Sequence, residues 1–136
     1  MTNERLYDAI DEILTELKTI FPDPFWHVGG DEPHFDCWDA NANISKYMKD
    51  HGLDNYALYA MFESRYAGLL KKHSKQVVGW QEIFSTKGTT PDRNSTVIEV
   101  WEGNAELANV VEAGFRGIVS SAWCVRLGSA LGLPDP

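Results

Sequence analysis

The sequence lacks the features of a nucleic-acid-binding, membrane-spanning or disulfide-rich protein. It has 12 basic against 20 acidic residues and a net charge of -8 at pH 7, which disfavours nucleic acid and anionic membrane surfaces as partners. It has no apolar run of about 18 residues that could span a bilayer. Its two cysteines are too few to define a disulfide framework. We therefore expect no nucleic-acid partner and no membrane insertion.

The composition is that of a globular protein, and apolar residues recur at regular spacing. The 136 residues are 43% hydrophobic and include five Trp, a size typical of one domain with a modest core. Helical periodicity predicts helices over 4–19, over 43–51, from a cap at Asp54 or Asn55 to about residue 70, and from a cap at Asn104 to 113. Short apolar runs predict strands over 25–28, 77–80, 96–101 and 117–121.

The alternation of short strands and helices predicts an α/β fold. Buried, apolar strands separated by helices are typical of parallel βαβ units. Four such units are about half of an eight-stranded barrel, which needs about 250 residues. The alternative is a small open sheet with helices on both faces.

The segment 27–34, with sequence HVGGDEPH, is the strongest candidate for a functional site. Two glycines after the first strand allow a sharp turn, so that Asp31 and Glu32 can both face one cleft. A negative charge on one carboxylate favours the protonated form of the other. Such a pair is suited to general acid–base chemistry near neutral pH.

Tryptophan follows or ends the three later strands, as Trp80, Trp101 and Trp123. Sites in parallel α/β folds gather at the carboxyl ends of strands. A Trp ring packs its flat face on the C–H surface of a sugar, and its N–H can donate to a hydroxyl. The pattern therefore predicts a Trp-lined sugar pocket, with ordinary core packing as the alternative.

Four ordered motifs together resemble glycoside hydrolase family 20, the β-N-acetylhexosaminidases. They are HVGGDE at 27–32 with Cys37-Trp38 after it, VGWQE at 78–82, IEVW at 98–101 and SSAW at 120–123. The resemblance implies a partial TIM (β/α)8 barrel of about four parallel βα units, equivalent to strands four to seven. It assigns residues 1–123 to the catalytic barrel and leaves 124–136 as a divergent C-terminal tail.

The resemblance also implies a mechanism, which is retaining and substrate-assisted. Glu32 would protonate the leaving oxygen and later activate water, and Asp31 would stabilise the substrate's acetamido group, whose oxygen attacks the anomeric carbon. No metal and no cofactor is needed. The resemblance implies Trp80, Trp101 and Trp123 as substrate-binding residues. His27 and Glu82 lie near strand ends and are candidate supporting residues, with polar contacts inside the barrel as the alternative role of Glu82.

Substrates and location follow from the same resemblance. Expected substrates are glycans, glycolipids or chitooligosaccharides that end in N-acetylglucosamine or N-acetylgalactosamine, and expected locations are lysosomal or secreted. The residues from Met1 to Arg5 do not begin a signal peptide, which predicts a cytosolic chain if it is translated as written.

Departures from the family pattern keep other functions open. The chain matches neither the first three strands nor the eighth, and Cys124 and Arg126 replace the family's Tyr and its Asp or Asn. We therefore expect little or no activity from this chain alone, with a homodimer of half-barrels as a further hypothesis. One alternative is a non-catalytic truncated product that binds sugar or a full-length sibling. Another is a metal-dependent hydrolase centred on His27 and His34, and His27 can equally be an interior hydrogen-bonding residue.

Overall fold

The computed structural model describes residues 1–121, in which six helices connect or flank four strands. The helices are α1 (Glu4–Ile20), α2 (Phe35–Ala40), α3 (Ala42–His51), α4 (Asn55–Lys72), α5 (Glu82–Ser85) and α6 (Asn104–Glu112). The strands are β1 (Phe25–His27), β2 (Gln76–Trp80), β3 (Thr96–Val100) and β4 (Arg116–Val119).

The four strands form one parallel sheet in the order β1-β2-β3-β4. His27 pairs with Val78, and Val78 pairs with Val97. Each strand lies beside the next one along the chain, and right-handed crossovers in such an order place every connecting helix on the same face. The prediction of a partial barrel is confirmed, and the alternative of a sheet with helices on both faces is wrong.

The hydrophobic core lies between one face of the sheet and the helices. Its fully buried members include Leu70 of α4, Ile98 and Val100 of β3, and Val110 of α6. Packing is close, because a Cβ on Gly117 of β4 would lie 2.6 Å from Leu107 Cδ1. Strand residues point alternately to opposite faces, so only every second strand residue contributes to this core.

The opposite face of the sheet is more exposed. Phe25 and Ile118 remain 41% and 46% exposed, whereas Ile98 on the helix-covered face is fully buried. In a closed barrel this second face becomes the packed interior. The described residues thus form a sheet with helices on one face and the barrel-interior face open.

The predicted caps hold with one exception. The Asp54 carboxylate accepts a hydrogen bond from the Ala57 N–H at 2.7 Å, and Gly52 ends α3 with a left-handed φ of 64°. The predicted cap at Asn104 is wrong, because Asn104 is the first residue of α6 and Gly103 precedes it with a φ of 150°. No side chain can cap from a glycine.

Two short helices were not predicted. Helix α2 has six residues and no side-chain cap bond at its start, and α5 is a single turn of four residues. Neither is long enough to show helical periodicity in the sequence. Helix α5 matters most here, because it begins two residues after the end of β2 and carries Glu82. Within residues 1–121, no helix is long and apolar enough to cross a bilayer.

Candidate active site

A sharp turn joins the end of β1 to the two adjacent carboxylates. Gly29 and Gly30 have φ angles of 76° and 99°, in a region that residues with a Cβ rarely adopt. A Cβ on Gly30 would also clash with the Ile83 side chain of α5. Glu32 has a φ of 40°, and strain of this kind costs about 1–3 kcal/mol and clusters at functional sites.

Hydrogen bonds from two neighbouring elements hold this turn. The Trp80 N–H of β2 donates to the Gly29 carbonyl at 2.9 Å. The Tyr59 hydroxyl of α4 donates to the Gly30 carbonyl at 2.6 Å. Burial, together with the negative charge of nearby carboxylates, raises the pKa of Tyr59, so its hydroxyl keeps the proton that it donates. The turn is therefore fixed from the sheet side and from the helix side.

The predicted site residues that the structure describes lie at one edge of the sheet. Asp31 and Glu32 follow β1 with exposed side chains, Trp80 ends β2, and Trp101 follows β3. Because the strands are parallel, all four lie at the carboxyl edge. The two Trp are not level, since Trp80 pairs with Glu99 and Trp101 is two residues further along. Trp123 lies outside the described residues.

His27 lies beside Trp80 on the barrel-interior face. The two rings meet edge to face with centroids 5.0 Å apart. His27 Nδ1 accepts the Gly29 N–H at 3.1 Å, and Nε2 lies 3.3 Å from Glu99 Oε2. If Nδ1 accepts, Nε2 carries the proton and donates to Glu99. His27 thus links the glycine turn to β3.

Gln81 fixes the backbone at the end of β3, and the sequence analysis missed it. Its side chain is only 2% exposed, and its Oε1 accepts the N–H groups of Trp101 and Glu102, each at 3.1 Å. Its Nε2 donates to the Glu102 carboxylate. Because both ends of this buried amide are hydrogen-bonded, Gln81 fixes the path of the backbone where it leaves β3. The signal in the sequence was its place beside Trp80 in the VGWQE motif.

Glu82, the first residue of α5, contacts Trp101 directly. The indole Nε1–H of Trp101 lies 3.2 and 3.3 Å from the two oxygens of the Glu82 carboxylate. Partial burial raises the pKa of Glu82, while the Trp101 indole and the backbone amides of Glu32 and of Glu82 itself act in the opposite direction. Glu82 was predicted as a supporting residue, and this hydrogen bond joins it to the residue that follows β3.

Glu63 of α4 lies behind the glycine turn and was also missed. A Cβ on Gly30 would lie 3.8 Å from Glu63 Oε1, and burial raises the pKa of Glu63 to about 7. Glu63 and Tyr59 are four residues apart on α4, so they share one face of that helix. The spacing was visible in the sequence, but the contact of this face with the turn was not.

A cavity of about 260 Å³ lies between α4 and residues 89–96. Glu63 and Ile83 are among its lining residues, whereas none of Asp31, Glu32, Trp80 or Trp101 lines it. The cavity is therefore separate from the candidate active site. In residues 1–121, no three His, Cys, Asp or Glu side chains are grouped so that they could hold a metal ion.

Comparison with known proteins agrees with the motifs. The family model described as "Glycosyl hydrolase family 20, catalytic domain" matches residues 1–128. The chain is 33% identical over 124 residues to the beta-hexosaminidase subunit alpha of Mus musculus, covering 86% of this chain and 23% of the relative. It is 32% identical over 126 residues to the subunit beta of Homo sapiens, covering 89% and 22%. The chain thus spans less than a quarter of these curated relatives.

Solved structures share the fold. The chitobiase of Flavobacterium johnsoniae superposes with a TM-score of 0.73 at 32% identity, covering 86% of this chain and 18% of that one. The GH20 exo-β-N-acetylglucosaminidase of Vibrio harveyi, solved in complex with N-acetylglucosamine, has a TM-score of 0.72 at 27% identity, covering 83% and 17%.

Proposed function

The chain belongs to glycosyl hydrolase family 20, and on this basis we propose that it forms part of the active site of a β-N-acetylhexosaminidase. The reaction would remove a terminal N-acetylhexosamine residue from a glycan, glycolipid or chitooligosaccharide with retention of configuration. One observation carries the proposal: Asp31 and Glu32 lie on a glycine turn at the carboxyl edge of the sheet that also carries Trp80 and Trp101.

In the proposed first step, the substrate's acetamido oxygen forms a bond to the anomeric carbon as the glycosidic C–O bond breaks. Glu32 donates its proton to the departing oxygen. Asp31 accepts a hydrogen bond from the acetamido N–H and stabilises the positive charge that develops on the oxazolinium ring. In the second step, Glu32 takes a proton from the water that opens this ring. Both side chains are exposed at the sheet edge, which makes them accessible to a bound sugar.

Trp80, Trp101 and Trp123 would enclose the acetamido methyl group and hold its oxygen near the anomeric carbon. The indole N–H of Trp101 is already bonded to Glu82. Because an indole has a single N–H donor, Trp101 would contact the sugar through its ring face and not through a hydrogen bond. This supports a packing role for Trp101.

The test is release of nitrophenol from p-nitrophenyl N-acetyl-β-glucosaminide, measured for this chain and for a longer protein that contains it. Glu32→Gln keeps the shape of the side chain but removes the ionisable acid, and we expect it to lower kcat by about 100-fold or more. Glu12→Gln makes the same chemical change on the exposed side of α1 and is expected to have no effect. Equal turnover by wild type and Glu32→Gln would contradict the proposal.

The second hypothesis is a non-catalytic product that binds sugar or a full-length sibling. The chain spans 23% of the subunit alpha relative, and its barrel-interior face is partly exposed. Binding of N-acetylglucosamine by this chain without turnover would favour it over the enzyme. Homodimerisation, and the lysosomal or secreted location that the resemblance implies, stay predictions, tested by sedimentation and by localisation of the native protein.

A further inference from the structure

Glu82 joins two parts of the site that are far apart in the sequence. It is the first residue of α5, and α5 starts two residues after Trp80. Its two carboxylate oxygens lie almost equally far from the Trp101 indole nitrogen, at 3.2 and 3.3 Å. The segment after β2 is thus bonded to the residue that follows β3.

The Glu82 carboxylate needs a hydrogen-bond donor because it is partly buried. A partly buried carboxylate loses hydration and needs hydrogen-bond donors in exchange. Trp101 supplies such a donor, and among residues 1–121 its indole N–H is bonded to Glu82 alone. Glu82 is therefore well placed to hold the Trp101 ring.

We propose that Glu82 is a positioning residue that fixes the plane of the Trp101 ring relative to the end of β2. It acts through the Trp101 ring and does not touch the substrate. The expected effect on catalysis rests on the proposed function, whereas the contact between Glu82 and Trp101 can be tested without measuring turnover.

The contact is tested by ¹H–¹⁵N NMR of the whole 136-residue chain. The indole signal of Trp101 is assigned by its absence in Trp101→Phe, and its hydrogen exchange is measured in two variants. Glu82→Leu removes both acceptors and is expected to speed exchange of the Trp101 indole proton at least tenfold. Glu82→Gln keeps one acceptor oxygen and is expected to be intermediate. Glu112→Leu, at an exposed residue of α6, is the matched control and should leave the signal unchanged.

Unchanged Trp101 exchange in Glu82→Gln and in a folded Glu82→Leu would overturn the proposal. The conservative Glu82→Gln variant provides the same test should Glu82→Leu fail to fold. In a longer protein that contains this chain, we expect Glu82→Gln to lower kcat by about tenfold with KM changed less than threefold, and an unchanged kcat would also overturn the proposal. Absence of turnover in that wild-type protein would contradict the proposed function alone, since indole exchange still decides whether Glu82 holds Trp101.

Discussion

At the scale of single residues, the site depends on side chains that hold others in place. The turn after β1 requires glycine for both conformation and space, and Gly79 on β2 is equally confined, since a Cβ there would lie 2.6 Å from Ile83 Cδ1. Tyr59 and Gln81 then anchor backbone carbonyl and N–H groups. These residues outnumber the two carboxylates that carry the proposed chemistry.

Glu63 gives a prediction about pH and stability. Burial raises its pKa from 4.5 to about 7, so the folded protein favours the protonated carboxyl. Between pH 4.5 and about 7, the Glu63 carboxyl is protonated more often in the folded protein than in the unfolded chain. The free energy of unfolding that this residue contributes therefore falls as the pH rises from about 4.5 to about 7. The loss is on the order of 3 kcal/mol. In Glu63→Gln this fall is expected to disappear.

The measurement is urea unfolding, followed by Trp fluorescence, at several pH values across that window. All other carboxylates are shared by the wild type and the variant, so the difference between their two curves isolates Glu63. Glu12→Gln is the control and should retain the wild-type slope. Parallel curves for wild type and Glu63→Gln would show that Glu63 is not a buried acid.

At the scale of elements, helix boundaries depend on local hydrogen bonds, and α4 and α6 begin differently. Helix α4 has a side-chain cap at Asp54, whereas α6 follows Gly103 without one. Asp54→Ala should therefore cost about 1 kcal/mol of unfolding free energy. Asn104→Ala should be near neutral, because Asn104 makes no cap bond. Chemical denaturation of both variants measures this difference. An equal loss of unfolding free energy in the two variants would show that Asn104 does cap α6.

At the scale of the whole molecule, the sheet has one buried face and one open face. Helices cover Ile98, which is fully buried, whereas Ile118 on the opposite face is 46% exposed. The core of the described chain therefore lies outside the barrel wall and not within it. This arrangement is what a part of a (β/α)8 barrel presents before the remaining strands cover its interior.

This asymmetry predicts unequal effects of the same substitution on the two faces. Ile98→Ala removes buried atoms and should cost about 2–5 kcal/mol. Ile118→Ala should cost under about 1 kcal/mol, since most surface substitutions are mild. Thermal or urea unfolding of the 136-residue chain provides the measurement. A large loss at Ile118 would mean that another surface covers this face, as the homodimer hypothesis requires.

The sequence by itself determined the four strands and the longer helices, the parallel arrangement of the strands and the family, because these depend on patterns that are local in the chain. Hydrophobic spacing located the four long helices and four strands, and the HVGGDE motif located the turn. The sequence could not show α5, which is too short for periodicity, nor which helix face lies behind Gly30. Only the tertiary structure joined Glu82 to Trp101, bonded Gln81 to the end of β3 and placed Tyr59 and Glu63 behind the turn. These contacts connect residues far apart in the sequence, which strand pairing and the packing of α4 bring together.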